Sequence, residues 1–384
     1  MLLKTEMIDP YAMRIIQSLQ KKGHEAYLVG GCVRDILAGF QPKDFDIATS
    51  ALPEEARRCI PNAYVIGKRF KLVLAKRGAD QFEVATFRRS ARQEEIEDEA
   101  NLVKGDNYFG TCEEDAIRRD FTINALFYDP VSDRMVDHVH GLHDIDSRMI
   151  RMIGDPVLRF QEDSIRILRA VRLSHKLNFT LEPSLREGIV TTSSALVTAA
   201  LPRKREEYLK FLKLPSPARA FLELEDLGVL KNVLPYFSEF LSDSFRRENF
   251  FHYFSDLKYL TGQDQSSEEL VSAFLFCMLR SQFPDSPFNL DAIETNKGWD
   301  QFLRFELNAF KQEIIEFYVT LSLVNQLEKI ETFKRKGERR RRAILDHPAF
   351  PRALRWATVD KRLTYAELLF WWDAKGTGHV TAPR

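Results

Sequence analysis

The sequence predicts an α+β chain: a small mixed α/β head followed by an all-helical neck, body and tail. Three observations predict it. Short apolar runs bounded by glycine or proline alternate with helical spacing up to about residue 150. After Pro156 the spacing is helical almost throughout and strand-like runs are missing. At 384 residues the chain also exceeds one typical core, so two or more domains are expected.

The elements follow in order. Residues 12–22 read as a helix with Ile15, Ile16 and Leu19 on one side. Ala26 to Val29 is a short apolar strand ended by Gly30, and Cys32 to Ala38 is a short helix closed by Gly39. Phe45 to Thr49 is a strand. Pro53-Glu54-Glu55-Ala56 opens a helix, because proline suits the first turn and acids suit the positive end of the dipole. Lys71 to Lys76 and Gln81 to Phe87 alternate about Arg77-Gly78-Ala79-Asp80, a hairpin pattern. Glu94 to Glu99 is strongly acidic and reads as a mobile loop. Asp115 to Leu126 and Glu162 to Arg172 read as helices. Proline breaks then place a head at 1–150, a neck at 151–215, a body at 216–330 and a tail at 331–384.

Composition narrows the function classes. Hydrophobic content of 44% and charged content of 29% describe a soluble globular protein. No apolar run reaches the roughly 18 residues of a membrane span. The start carries Glu6 and Pro10 where a signal peptide needs its apolar stretch. Cys32, Cys59, Cys112 and Cys277 lie far apart, which argues against a zinc site or disulfide framework and fits a reducing cytoplasm. Net charge is zero, so a nucleic-acid binder needs segregated basic residues. They are segregated: Lys334-Arg335-Lys336 and Arg339-Arg340-Arg341-Arg342 lie together near the end.

The chemistry centres on Asp44-Phe45-Asp46, just after Gly30-Gly31-Cys32-Val33-Arg34-Asp35. On a strand, residues two apart share a face, so Asp44 and Asp46 project together. Two such carboxylates repel unless a divalent cation lies between them. Magnesium is bound by one or two carboxylates plus substrate phosphates, and a metal pair serves both oxygens of a displacement. The glycine pair lets backbone approach an anion closely. Each part alone has a plainer reading, a turn or a solvated strand. The combination points to nucleotidyl transfer.

Other constellations are less specific. Glu83 is a third carboxylate of the site or an exposed strand acid. In Arg118-Arg119-Asp120-Phe121-Thr122-Ile123-Asn124, helical spacing pairs Arg118 with Thr122 and Asp120 with Asn124. Arginines suit triphosphate, and Asp or Asn suits a ribose hydroxyl. When the motif stands alone, a solvated, salt-bridged helix explains it better. Asp163, Arg166 and Arg169 fall at i, i+3 spacing as a ridge. An acceptor beside a two-pronged donor can read the edge of a base, and an exposed ion-paired ridge is the alternative.

Taken together, Leu28-Val29-Gly30-Gly31-Cys32-Val33-Arg34-Asp35, Asp44-Phe45-Asp46, Arg118 to Leu126 and Glu162-Asp163-Ser164-Ile165-Arg166 resemble the class II nucleotidyltransferases, the family of bacterial poly(A) polymerases and CCA-adding enzymes. The resemblance covers roughly residues 25–240. It implies that Asp44 and Asp46 bind two Mg2+ ions and that Gly30, Gly31 and Arg34 hold triphosphate. It assigns Arg119, Asp120 and Asn124 to the ribose motif, with Asp120 also a candidate active-site acid. Asp163 and Arg166 then read the incoming base, and Arg169 touches phosphate. Gly154-Asp155-Pro156 to Arg159-Phe160 is similar to the family's head–neck hinge.

Val65-Ile66-Gly67-Lys68-Arg69-Phe70, Asp106-Asn107-Tyr108-Phe109-Gly110 and the stretch from Arg339 to Phe350 are similar to the poly(A) polymerase branch. Leu74 or Ala75 stands where that branch often has His, and Ser164 stands where the family usually has Pro or Ala. The expected activity is template-independent addition of AMP from ATP to RNA 3′ ends. Arg339 to Arg342 are expected to grip RNA. CCA addition to tRNA is the same-fold alternative. A non-catalytic RNA-binding protein on this scaffold is the different-class alternative, and intact Asp44, Asp46 and Asp163 argue against it.

Overall fold

The computed structural model describes every residue except 1, 2, 4, 68–70, 91–107, 262–264, 285–286 and 377–384. The acidic loop at 94–99, Lys68-Arg69-Phe70 and Asp106-Asn107 therefore lie outside the described residues.

Two compact units form. The first comprises Met1–Arg166 and Lys176–Thr192. Its frame is a seven-stranded sheet: β1 Ala26–Val29, β2 Asp46–Thr49, β3 Ala63–Ile66, β4 Leu72–Arg77, β5 Asp80–Thr86, β6 Leu126–Asp129 and β7 Arg134–Asp137. The order across the sheet is β3-β4-β5-β2-β1-β6-β7. Only β2 and β5 run parallel; the other neighbours are antiparallel. The register sets Val29 opposite Asp46 and Ile47 opposite Val84, so Gly30, Asp46 and Glu83 gather at one end of the central strands. Tyr27, Val29, Ala48, Phe87, Ala116, Ala125 and Phe127 form the core beneath them.

The helices of the head follow their sequence signals. Pro10–Gln20 buries Ala12, Ile15, Ile16 and Leu19, and Asp9 caps it by accepting the Tyr11 N–H. Pro53–Cys59 starts with proline and carries Glu54 and Glu55 in its first turn.

Three expectations are corrected. The helix expected over Asp115 to Leu126 stops at Ile117. Phe121 instead bridges Met152, Thr122 N–H donates to Arg151 O at 3.1 Å, and Ile153 N–H donates to Asp120 O at 3.0 Å. Distant backbone partners outcompeted a stretch whose aromatic and β-branched residues are indifferent helix formers. Residues 122–124 form only a 3-10 turn before β6. The helix expected from Glu162 is two helices, Pro156–Glu162 and Ile165–Leu177, parted by Asp163 in extended backbone. Strands do not cease after Pro156 either: β9, Thr180–Leu181, pairs in parallel with β8, Met149–Ile150.

The second unit comprises Ile167–His175 and Ser193–Arg384 and is helical. A buried phenylalanine cluster anchors it. Phe250 meets Phe254 at 4.8 Å, Phe237 at 4.9 Å and Phe274 at 5.8 Å between ring centroids. The helix Glu338–Leu345 carries Arg339 to Arg342 and buries no residue. Among the described residues no helix is long and apolar enough to cross a membrane.

Candidate nucleotidyltransferase site

The site grows from the turn after β1. Gly30 has φ +74°, which a side chain tolerates poorly. A Cβ there would stand 3.4 Å from Arg119 Nη1 and 3.9 Å from both Asn124 O and Asp46 Oδ2. Glycine is thus needed for the turn and for this convergence.

Asp44, Asp46 and Glu83 are exposed around the buried Phe45, Ile47 and Val84. Although Asp46 keeps a side open to solvent, the protein packed around its carboxyl partly desolvates it and pushes its pKa up from the ordinary 3.8 to about 6. Glu83 adds to the rise and Arg119 opposes it, while Asp44 and Arg34 act less strongly in opposite senses. Glu83 is therefore an electrostatic neighbour of Asp46, placed there by the parallel pairing of β2 and β5. Among the described residues no three acidic, histidine or cysteine side chains make a ready metal cage. Magnesium does not need one, since it takes one or two carboxylates and completes its shell with water and phosphate. Two exposed aspartates in excess negative charge fit that requirement.

Arg119 closes the opposite side. Its Nη2 lies 2.8 Å from Asp115, its Nη1 donates to Asn124 O at 3.3 Å, and its guanidinium sits 5.2 Å from the Phe127 ring centre. Burial works to raise the Asp115 pKa, but Arg119 and Arg118 override it and hold the carboxyl below its usual range. Asn124 is buried; its Nδ2 donates to Asp120 Oδ1 at 3.0 Å and its Oδ1 accepts from Arg34 Nη1 at 2.6 Å. The expected Asp120–Asn124 pairing thus occurs through a 3-10 turn, not through an α-helix.

Arg34, expected at the triphosphate, is 6% exposed. It binds Asp35 through Nε and Nη2 at 2.9 and 2.6 Å, and Lys176 binds the other Asp35 oxygen at 2.8 Å. It lies directly below Gly31, with Nη2 3.6 Å from where a Cβ on that glycine would stand. Asp163 and Arg166 do not share a helical ridge. Asp163 precedes the helix and accepts Ile165 N–H at 3.2 Å; Arg166 donates to Arg159 O at 2.7 Å and Glu162 at 2.8 Å. Arg169 follows one turn later in the same helix, among residues of the second unit.

The sequence motifs contain Asp115, Asp35 and Arg159 but give none of them a role at the site. Arg159 Nη2 donates to the carbonyls of Arg118 and Arg119, both at 2.7 Å, and fixes the Arg-Arg-Asp turn. Asp115 was detectable, because it stands three and four residues before the two arginines. The sequence marks Arg159 only as part of the hinge-like segment; that it holds the Arg-Arg-Asp turn depends on carbonyls 40 and 41 residues away.

The head thus carries two aspartates at the end of a central strand of a mixed sheet, with a glycine turn beside them and Arg119 on the far side of that turn. Residues 26–151 match the family model described as the poly A polymerase head domain, and residues 178–241 match the probable RNA and SrmB-binding site of polymerase A. Poly(A) polymerase I of Haemophilus influenzae is 38% identical over 238 residues, covering 60% of this chain and 53% of that protein. A Geobacillus CCA-adding enzyme is 35% identical over 225 residues, covering 58% of this chain and 54% of that enzyme. The chain spans about half the length of the curated relatives it matches. The fold is also that of the Thermotoga maritima CCA-adding enzyme solved with tRNA, at a TM-score of 0.59 and 21% identity, over 97% of this chain and 83% of that one. The head and the segment that follows it are thus similar to those of poly(A) polymerases and CCA-adding enzymes.

Proposed function

We propose that this protein adds AMP from ATP to RNA 3′-hydroxyls without a template and releases pyrophosphate. The observation that carries the reading is the carboxylate group of Asp44, Asp46 and Glu83 facing Arg119 across the Gly30 turn. Asp44 and Asp46 hold magnesium in this reading. When bound, the metal supplies charge neutralisation for in-line displacement at the α-phosphate. The protein's own residues bind and orient. Gly30 and Gly31 leave room for the triphosphate, with Arg34 below and Arg119 alongside. Asn124, held by Arg34 and Asp120, meets the ribose. Asp163 and Arg166 read the base, and Arg169 assists at phosphate.

In regional terms, 1–150 is the catalytic head, 151–215 the base-reading neck, 216–330 the RNA-binding body and 331–384 the basic tail. Four free cysteines suit a reducing cytoplasm.

The poly(A) branch is favoured by the Val65 to Phe70 signature and by relatives named poly(A) polymerase I at 37–41% identity. CCA addition is the second reading, supported by relatives of that name at 35–37%. Offering each NTP separately with a generic RNA and with tRNA lacking its CCA end separates them. AMP tracts on generic RNA support polyadenylation. CMP incorporation confined to the tRNA overturns it.

A further inference from the structure

The helical unit contains a cavity of about 350 Å3. Tyr236, Phe283 and Trp299 are its flat members, and Gln282, Asn289 and Asn296 are polar ones. Its wall is braced from behind. The Tyr236 N–H donates to the Glu306 carboxylate at 3.0 and 3.3 Å, and the Tyr236 ring stacks on Phe302 at 5.2 Å and 26°. Phe302 to Glu306 is a π-helical turn, a rare form that recurs at functional sites. Trp299 Nε1 donates to the Tyr318 hydroxyl at 3.2 Å, which fixes the indole. Gly298 lets the backbone pass close to the Tyr236 ring: a Cβ there would stand 3.2 Å from Tyr236 Cε2.

The rim has a definite polarity. Asn289 Oδ1 accepts Ala292 N–H at 3.2 Å, and Asn296 Oδ1 accepts Trp299 N–H at 3.0 Å. With the oxygens so engaged, each amide is left with its two N–H donors, and these have no acceptor among the described residues. Flat walls with donors along the edge suit a heteroaromatic ring with acceptors on its periphery, which is a nucleobase. The volume lies at the low end for small-ligand sites, about 300–1,000 Å3, and is too small for a folded peptide element. Tyr236 also belongs to the segment that matches the RNA-binding model.

We infer that this cavity stacks one unpaired base of the RNA substrate and hydrogen-bonds its edge through Asn289 and Asn296. The inference rests on the RNA-polymerising reading. A short single-stranded RNA carrying 2-aminopurine at successive positions tests it, titrated with the full chain and with two variants. Tyr236→Leu removes the stacking face. The double variant Asn289→Ser, Asn296→Ser keeps both helix caps and removes the amide donors. Expected for the parent is fluorescence quenching at one position of the RNA. Both variants should weaken that quenching and raise the Kd about tenfold, with the KM for ATP unchanged. Unaltered quenching and affinity in the doubly substituted chain, whose caps are intact, would overturn the inference even if Tyr236→Leu misfolds. Tyr236-dependent quenching of free 2-aminopurine riboside triphosphate but not of the RNA would also overturn it, as a free-nucleotide site. A parent chain that extends no RNA with any NTP sinks the polymerase reading itself, whereas an active parent with an indifferent cavity sinks only this one.

Discussion

Arg34 Nη1 donates to Asn124 Oδ1 at 2.6 Å across 90 residues of sequence. The bond joins the helix Gly31–Leu37, which follows the glycine turn after β1, to the 3-10 turn before β6. It extends in both directions: Lys176 to Asp35, Asp35 to Arg34, Asn124 to Asp120. A buried guanidinium is tolerable only with its counter-charge, so Asp35 is the member on which the rest depends.

Asp35→Asn should therefore cost about 3 kcal/mol, because removing one partner strands the buried charge of the other. Lys176→Met should cost less than about 1 kcal/mol, since that ammonium is 37% exposed. Urea unfolding of the two variants checks the contrast. Equal losses would mean that Lys176, not Asp35, sets the stability of the network.

Asp46 supplies a pH-dependent prediction. Its folded pKa of about 6 lies above the ordinary 3.8, so the folded chain holds its proton more tightly than the unfolded chain. Stability is then fully present below pH 3.8, declines as pH rises through the window to about 6, and stays reduced above it. Asp46→Asn should relieve this above pH 6 without metal. Solvent screening at an exposed carboxylate leaves about 1 kcal/mol of relief, or a rise of about 2–4 °C in Tm. Thermal melts in EDTA at pH 8 and pH 4 should show the gain at the higher pH only. The same variant, like Asp44→Ala, should lose nucleotide addition, because a metal ligand is gone. Near-normal turnover in either would remove the central assignment.

Much of this site was legible as sequence because its parts are local. Gly30-Gly31, Asp44-Phe45-Asp46 and the Arg-Arg-Asp motif each lie within one turn or strand. Strands β1, β2, β4 and β5 were legible for the same reason, being short apolar runs between breakers, whereas β3, β6 and β7 were not read as strands. What failed was the conformation of Asp115 to Leu126 and of Asp163. In both places backbone groups find distant partners, such as Arg151 O for Thr122, that no periodicity reports. Glu83 stayed ambiguous because its role depends on β2 and β5 being parallel neighbours, a fact of topology.

Asp163→Ala and Arg166→Ala should disturb choice of base more than metal-dependent chemistry. A good bidentate contact is worth about 1–3 kcal/mol of discrimination. Arg166 is tied to Arg159 O and Glu162 in this structure, so Arg166→Lys should also relax selectivity, because an ammonium has no planar fork. Incorporation of ATP, CTP, GTP and UTP measured side by side checks both. An unchanged preference would mean that these residues only hold the helix junction.

The run Arg339 to Arg342 should grip RNA backbone without reading sequence. The helix that carries it, Glu338–Leu345, buries no residue, so packing does not explain its four arginines. One internal tie is Arg342 to Glu338 at 2.8 Å, with both side chains about 70% exposed; such a pair is weak and yields readily to phosphate. The chain as a whole is neutral, which makes the run a local excess of positive charge. Contacts to single-stranded phosphates release counterions, with a slope of about −0.7 in log K against log salt for each. Replacing all four arginines with alanine should flatten that slope by up to about 3 and raise the KM for RNA. Thermal stability should hold, because nothing is uncovered and alanine favours helix. ATP affinity should hold too, since the nucleotide residues proposed above lie at 30–169 in the sequence. RNA-binding isotherms of parent and variant across a salt series check this. An identical salt slope would show that RNA is held by other residues.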